Sequence, residues 1–222
     1  MDTSYDGRMS QSSVRGWTQD QFDFSADIST LLALYERQAI SEIDLTHRLI
    51  GVGRQVREMT RSWTKSDLEE IGRWTHTQPA MAKIEKDAPD VESRIARAFE
   101  IPDEESRIEA LCRIPGIGPA LTSSLLTLTF PQKYGPLDIH AWNSLTYLGF
   151  DLPPKPSSGG GFTTSELQRY LKIIRNLAKA AKLTPWQVAK ALHALDRAMI
   201  NRKWREEFNK LKSISNLSIR PY

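Results

Sequence analysis

Apolar residues recur three to four positions apart through most of the chain, which is the spacing of an amphipathic helix. From residue 27 onward this pattern predicts two successive helices, the first carrying Ile28 and the second carrying Leu49. No run of alternating β-branched residues persists, and the stretch TLTF at 127–130 fits a buried helix end better than a strand. The pattern therefore predicts an all-α protein.

Short capping signatures predict where further helices begin. Ser66 and Glu69 form an S-x-x-E box before a short third helix, and Pro79 marks a break soon after it. Later starts are predicted from capping residues at Asp90, Asp103, Thr163 with Glu166, and Thr184 with Gln187. The last of these opens a long helix with Val188, Leu192, Leu195 and Met199 as its core stripe, and a surface helix of mixed charge follows it.

The chain divides into a leader and one domain. Residues 1–20 are rich in Ser, Gln, Asp and Gly, which predicts a flexible leader, and residues 21–222 form a single helical domain. Within that domain the hairpin described below spans about 103–130, and the Gly/Pro/Ser-rich segment 151–164 is a loop of low complexity.

Composition limits the environment more than the function. Thirty Lys and Arg against 27 Asp and Glu give a net charge of +3. This mild excess permits nucleic acid binding, although an ordinary soluble protein explains it equally well. A single cysteine, Cys112, cannot build a disulfide framework or an all-Cys metal site. Without an 18-residue apolar run or a signal peptide, we expect a protein of the cytoplasm or nucleoid, away from membranes. We also expect a monomer.

The stretch IPGIG at 114–118 carries the first functional signal. Its glycines, Gly116 and Gly118, let a backbone turn tightly and approach a phosphate without an intervening side chain. Pro115 ends the preceding helix, Ile117 fills the gap between the two helices, and amides at the start of the next helix would face the anion. The alternative interpretation is a tight turn between helices with no ligand.

Asp138 lies twenty positions beyond Gly118, in the string YGPLDIHAW. Together LCRIPGIG and PLDIHAW resemble the helix-hairpin-helix DNA glycosylase superfamily, whose signature pairs an L-P-G-[IV]-G hairpin with a catalytic Asp at about this distance. The strings are most similar to the 8-oxoguanine glycosylase branch, and the resemblance covers residues 111–143. It implies two helical subdomains around a cleft, double-stranded DNA as partner, base flipping, and a contact from His140 to the DNA backbone.

The chemistry expected of Asp138 also follows from the residue itself. Breaking an N-glycosidic bond leaves positive charge on the deoxyribose, and a carboxylate beside the sugar stabilises that charge or orients the attacking water. At a helix start the backbone amides would keep the carboxyl pKa low. The alternative is an N-cap without a catalytic role.

Three positions qualify the resemblance. Ala120 stands where bifunctional members carry a lysine nucleophile, which implies a monofunctional enzyme that leaves an abasic site, or else a relative that has lost activity. Ser124, one turn later, stands where the base pocket of the 8-oxoguanine branch lies. Glu42 is a weak candidate for the acid that protonates the leaving base, because a solvated helix carboxylate explains it as well.

Two basic stripes complete the predictions. Arg54, Arg57, Arg61 and Lys65 form one stripe, and Arg169, Lys172, Arg175, Lys179 and Lys182 form the other. Such stripes are usually solvated faces, but the second is a candidate to flank DNA, with Lys172 and Arg175 as its contacts. The chemistry requires no metal or organic cofactor, and the resemblance leaves room only for a monovalent cation at the hairpin. The sequence does not identify the excised base.

Overall fold

The fold is entirely helical over the residues described by a computed structural model, 24–39, 43–75, 78–155 and 161–218, which confirms the predicted all-α class. The predicted leader, Glu42 and part of the 151–164 loop lie outside these ranges. The helices are α1 (Phe24–Gln38), α2 (Ile43–Arg57), α3 (Lys65–Trp74), α4 (Gln78–Asp87), α5 (Val91–Glu100), α6 (Glu104–Cys112), α7 (Pro119–Thr129), α8 (Ile139–Tyr147), α9 (Thr164–Ala181), α10 (Pro185–Ile200) and α11 (Arg202–Ser218).

Two predicted capping boxes are confirmed. At the start of α9, Thr163 and Glu166 each accept a backbone amide of the other, and Thr184 and Gln187 do the same at α10. Asp103 caps α6 by accepting the Ser106 amide at 2.8 Å. These bonds satisfy amides that a helix start leaves without a carbonyl partner.

The predicted box at Ser66 and Glu69 is wrong. Helix α3 begins two residues earlier, where the Thr64 hydroxyl accepts the Asp67 amide and the Asp67 carboxylate accepts the Thr64 amide at 2.9 Å. A tertiary contact favours this start, because the Lys65 amide donates to the Glu92 carboxylate at 2.8 Å. The Thr64–Asp67 box and the Ser66–Glu69 box overlap in the sequence, and the tertiary contact from Glu92 favours the first.

Two further expectations need correction. Asp90 precedes α5, but its carboxylate makes no capping bond and lies 2.8 Å from Arg94 Nε instead. Pro79 does not simply end a helical region, since it lies in the first turn of α4, a helix that the periodicity did not predict. Proline is tolerated there because the first amides of a helix have no partner to lose.

The helices pack in two groups. Helices α2 to α7 form one group, α1 and α8 to α11 form the other, and α9 connects them through α6 and α7. One continuous set of buried apolar side chains runs through both groups. The predicted pair of helical subdomains and the cleft between them both stay predictions.

Helix α10 is the centre of the second group, since it packs against α1, α8, α9 and α11. The four predicted core positions of its stripe are buried, and Trp142 of α8 is fully buried as well. Ser144 on α8 donates its hydroxyl to the Leu192 carbonyl of α10 at 2.5 Å. This bond fixes the position of α8 along α10. No helix in the described part of the chain has the length and apolarity needed to cross a membrane.

Helices α2 and α7 approach closely at Gly53. A Cβ at this position would overlap the Leu128 carbonyl group, which is backbone and cannot move aside by changing rotamer. Gly51, on the same helix, has open space where its Cβ would lie. The close approach of α2 and α7 therefore requires glycine at position 53 but not at position 51.

We expect Gly53→Ala to lower the free energy of unfolding by about 2 kcal/mol or more, because overlap with backbone forces α2 away from α7. Gly51→Ala is the matched control and should raise it by about 0.5–1 kcal/mol, since alanine has the higher helix propensity. Urea denaturation of both variants measures the difference. Equal effects would contradict the close approach.

Candidate functional site

The hairpin consists of α6, the turn 113–118 and α7. Gly116 has φ of 84°, a conformation that favours glycine, and Ile117 is buried with its amide donating to the Ile114 carbonyl at 2.9 Å. Gly118 is the N-cap of α7 and supplies no side-chain cap, and the next residue is Pro119. The start of α7 is therefore a helix terminus without a side-chain acceptor of its own, while phosphate binding there stays a prediction.

A serine joins the hairpin to the segment that carries Asp138. Ser123 Oγ donates to the Ala120 carbonyl at 2.6 Å and accepts the amide of Leu137 at 2.8 Å. Leu137 directly precedes Asp138. The first turn of α7 and the start of α8 are thus connected through one hydroxyl, and their separation is fixed by two short bonds.

Asp138 caps α8, as the sequence predicts. Its Oδ1 accepts the Ala141 amide at 2.7 Å, and its Oδ2 lies 2.9 Å from Nδ1 of His193 on α10. The side chain keeps 37% of its surface exposed. The carboxylate is consequently fixed at both oxygens while remaining accessible from outside.

The surroundings of Asp138 favour its charged form. Burial raises the pKa of the carboxyl, but the charge and hydrogen bond of His193, the Ala141 amide and the charge of His140 together hold that pKa below its usual range. Burial and the negative charge of Asp138 raise the pKa of the nearby Tyr170 phenol well above its usual value. Asp138 is therefore ionised at neutral pH, and His193 Nδ1 carries the proton in their hydrogen bond.

A second histidine–carboxylate pair lies beside the first. Nδ1 of His140 lies 2.6 Å from Oδ2 of Asp196, whose side chain is only 8% exposed. The centroids of the two imidazole rings are 4.6 Å apart. The pairs cross between the helices, because α8 and its cap supply Asp138 and His140 while α10 supplies His193 and Asp196. A DNA contact from His140 stays a prediction, and only its Nε2 is left for one.

His193 and Asp196 were missed by the sequence reading. They are three positions apart on α10, so they lie on neighbouring turns of one helix face. The available signal was a His-x-x-Asp pattern on a helix otherwise assigned to the core. Nothing local indicated that this face would meet Asp138.

Other predicted site residues lie in different surroundings. Arg175 makes a two-pronged ion pair with Glu104, at 2.7 and 3.0 Å, and donates to the Lys133 carbonyl. Lys172 is exposed. Ser124 is buried, and its hydroxyl donates to the Ala120 carbonyl at 3.0 Å. The structure therefore brings Ala120, Asp138 and His140 into one connected region and holds Arg175 in an ion pair with the hairpin helix α6.

Within the described residues, no group of three or more His, Cys, Asp or Glu side chains is arranged to hold a metal ion. Comparison of the chain with models of protein families, with curated proteins and with solved structures finds no match. A functional proposal for this chain therefore rests on the geometry and chemistry of the site and on the motif resemblance described above.

We expect the stability difference between the protein and its Asp138→Asn variant to depend on pH. The folded state binds a proton at Asp138 more weakly than the unfolded chain, so ionised Asp138 stabilises the fold above its ordinary pKa of 3.8. This contribution is lost as the pH falls through the lower pKa of the folded state. Thermal melts should show a Tm difference of about 2–4 °C at pH 6 that closes toward pH 3.

Glu85→Gln is the matched control for these melts, because Glu85 is exposed and has no ion pair within the described part of the chain. Its Tm difference from the unaltered protein should be near zero throughout. A difference at Asp138 that grows as the pH falls would contradict the lowered pKa.

Proposed function

We propose that this protein is a monofunctional DNA glycosylase, which hydrolyses the bond between a flipped-out, damaged or modified base and its deoxyribose. The observation that carries the proposal is the ionised, accessible carboxylate of Asp138, held at the start of α8 by His193 and the Ala141 amide. The resemblance of residues 111–143 to helix-hairpin-helix glycosylases supports the same activity.

The proposed reaction breaks the glycosidic C1′–N bond, and its electron pair leaves with the base. A water oxygen then forms a bond to C1′, and one proton of that water goes to the departing base or to solvent. Asp138 acts while positive charge is present on the sugar, because a fixed carboxylate beside that charge stabilises it without having to reorganise. A lowered pKa suits this role, since a protonated carboxyl would not provide the charge.

The hairpin gives the carboxylate a fixed distance from the DNA. A phosphate at the start of α7 would be held by backbone amides, with no preference for sequence. The Ser123 bridge, which bonds both Ala120 and Leu137, would transmit that placement to Asp138. Small errors in the position of a catalytic group greatly reduce the rate enhancement. The short connection between the hairpin and Asp138 therefore favours a catalytic role over DNA binding alone.

The second candidate function is DNA binding without catalysis. It is favoured by the fact that each Asp138 oxygen already has a protein partner, as a purely structural cap would. The alanine at position 120 agrees with it too. The two functions differ in whether a base is released.

Base release from duplexes carrying single oxidised, alkylated, deaminated, mismatched or hypermodified bases tests the proposal. We expect the protein to release at least one of these bases, with strand breakage only after alkali, because Ala120 supplies no amine for lyase chemistry. Asp138→Asn should slow release by about 100-fold or more while retaining binding. If both proteins bind every duplex and release nothing, DNA binding alone is the function.

Gly118→Ala tests the hairpin without straining it. Its Cβ would meet no atom within 4 Å, so the variant should fold, whereas Gly116 has a positive φ that disfavours any side chain. We expect the added methyl to weaken binding to all duplexes alike by about fivefold, the cost of one lost hydrogen bond to phosphate. Gly51→Ala is the control, and fluorescence anisotropy measures the affinities. Weakening confined to one modified base would instead place the hairpin at the base.

A further inference from the structure

One face of α10 carries a row of cationic and aromatic side chains that extends away from Asp138. Trp186, Lys190, His193 and Arg197 are spaced by four, three and four residues, which places them on the same helix face. Three rings from other helices join them, namely Tyr35 of α1, Trp74 of α3 and Trp204 of α11. We refer to these seven residues as the α10 row.

Ring and cation alternate along the α10 row. Lys190 Nζ lies 5.0 Å from the ring centroid of Trp186 and 5.5 Å from that of Tyr35. The ring of Tyr35 meets His193 edge-on at 5.5 Å. His193 in turn lies 6.3 Å from Trp204, and the guanidinium of Arg197 covers that indole at 5.4 Å. Most of these side chains are half-buried, so they line a surface rather than a sealed core.

The α10 row extends from a contact between the two groups of helices to the carboxylate of Asp138. At one end Trp186 meets Trp74 edge-on at 6.4 Å, and Trp74 belongs to the group that contains the hairpin. Near the middle, His193 is bonded to Asp138. A planar group bound along the row would therefore lie beside the carboxylate and next to the junction of the two groups.

Two donors of the α10 row, Trp186 Nε1 and Lys190 Nζ, have no acceptor among the residues that the structure describes. Trp186 is 8% exposed, and its buried Nε1 has no hydrogen-bond partner. Among the described residues Lys190 has ring contacts and the charge of Glu36 nearby, but no hydrogen bond. Buried polar groups without partners are rare in folded proteins, and a ligand is one explanation of such a group. Burial lowers the pKa of Lys190 while the charge of Glu36 opposes that shift, so an acceptor on a ligand would further stabilise the ammonium form.

We propose that the α10 row is the binding site for the unstacked base, and that it selects neutral bases bearing carbonyl oxygens over cationic alkylated bases. The inference rests on the proposed function and narrows its substrate class. Aromatic side chains bind any base face, which explains the rings. The Lys190 ammonium would donate to carbonyl oxygens, and the Trp186 indole N–H, whose nitrogen is buried in the free protein, would do so after its ring turns toward the bound base. Lys190 and Arg197 would repel a base that carries positive charge.

The same evidence moves the predicted base contact away from Ser124. That hydroxyl is buried and already donates within α7, whereas Trp186 Nε1 and Lys190 Nζ have no acceptor in the described part of the chain. Oxidised and deaminated bases, which gain carbonyl groups, therefore rank above alkylated purines as substrates.

Binding to uncleavable duplexes tests this proposal separately from catalysis. A 2′-fluoroarabino nucleotide keeps the base attached, and the same duplex is made with 8-oxoguanine, uracil, hypoxanthine, cationic 7-methylguanine, or neutral, carbonyl-free 2-aminopurine. We expect the full-length protein to bind at least one of the three neutral carbonyl bases about fivefold or more tightly than 2-aminopurine and 7-methylguanine. Lys190→Met and Trp186→Phe should each reduce that preference severalfold and leave binding to unmodified duplex unchanged.

Matched variants separate a binding role from a structural one. Lys155 also lies near two rings, at 5.8 Å from Trp142 and 5.2 Å from Phe162, so Lys155→Met is the control for Lys190→Met and should keep the preference. Trp142 Nε1 donates to the Pro153 carbonyl at 2.9 Å. Trp142→Phe should therefore lower Tm by about 2–4 °C, whereas Trp186→Phe removes an unpaired donor and should not lower it.

The outcomes distinguish the two proposals. A preference for carbonyl bases that depends on Lys190 and Trp186, without base release from cleavable DNA, would support the α10 row and overturn the enzyme. Base release with no preference, or with a preference that neither substitution reduces, would overturn the α10 row alone. If Lys190→Met weakens binding to all duplexes equally, its acceptor is a phosphate and the proposed base selection is wrong.

Discussion

The hydrogen bond between Asp138 and His193 connects the start of one helix to the middle of another, and most of the candidate site depends on it. It joins α8 to α10, fixes the second oxygen of the cap and favours the ionised carboxylate. Its proton lies on Nδ1, so Nε2 is the nitrogen of His193 that remains for other partners. The neighbouring His140–Asp196 pair repeats this arrangement in the opposite direction between the same two helices.

The position of this bond depends in turn on backbone contacts made elsewhere. Ser144 fixes α8 along α10 through the Leu192 carbonyl, and Ser123 ties the residue before Asp138 to the hairpin. Gly53 allows α2 to approach α7, the helix that carries Ser123. Small residues and hydroxyls thus set the distances between helices, while the larger apolar side chains provide the bulk of the core.

Local features of the fold were predictable because their causes are local. The caps at Asp103, Asp138, Thr163 and Thr184 each depend on a side chain and an amide three residues away, so sequence spacing identifies them. The start of α3 was not predictable, because two overlapping boxes compete there and a carboxylate from α5 decides between them.

The residues of the candidate site likewise fall into those that local sequence identifies and those that only contacts between distant segments bring together. Asp138 and the hairpin lie within one continuous segment and could be read from it, whereas His193 is 55 positions from its partner. The face of α10 that carries His193 has an ordinary helix pattern, which gave no indication that it contacts Asp138. Arg175 was predicted to contact DNA because its spacing places it in a basic stripe. That spacing could not show that Arg175 forms an ion pair with Glu104, 71 positions away.

The two crossed His–Asp pairs correspond to a sequence pattern that can be searched for in other chains. Asp-x-His at 138–140 and His-x-x-Asp at 193–196 are reciprocal, with each histidine paired to the carboxylate of the other element, 55 and 56 positions apart. Loss of one member would leave its partner without the hydrogen bond that orients it, so the four residues should be kept or lost as pairs. In a set of related chains, joint variation at these positions would separate those that share this site from those that share only the hairpin.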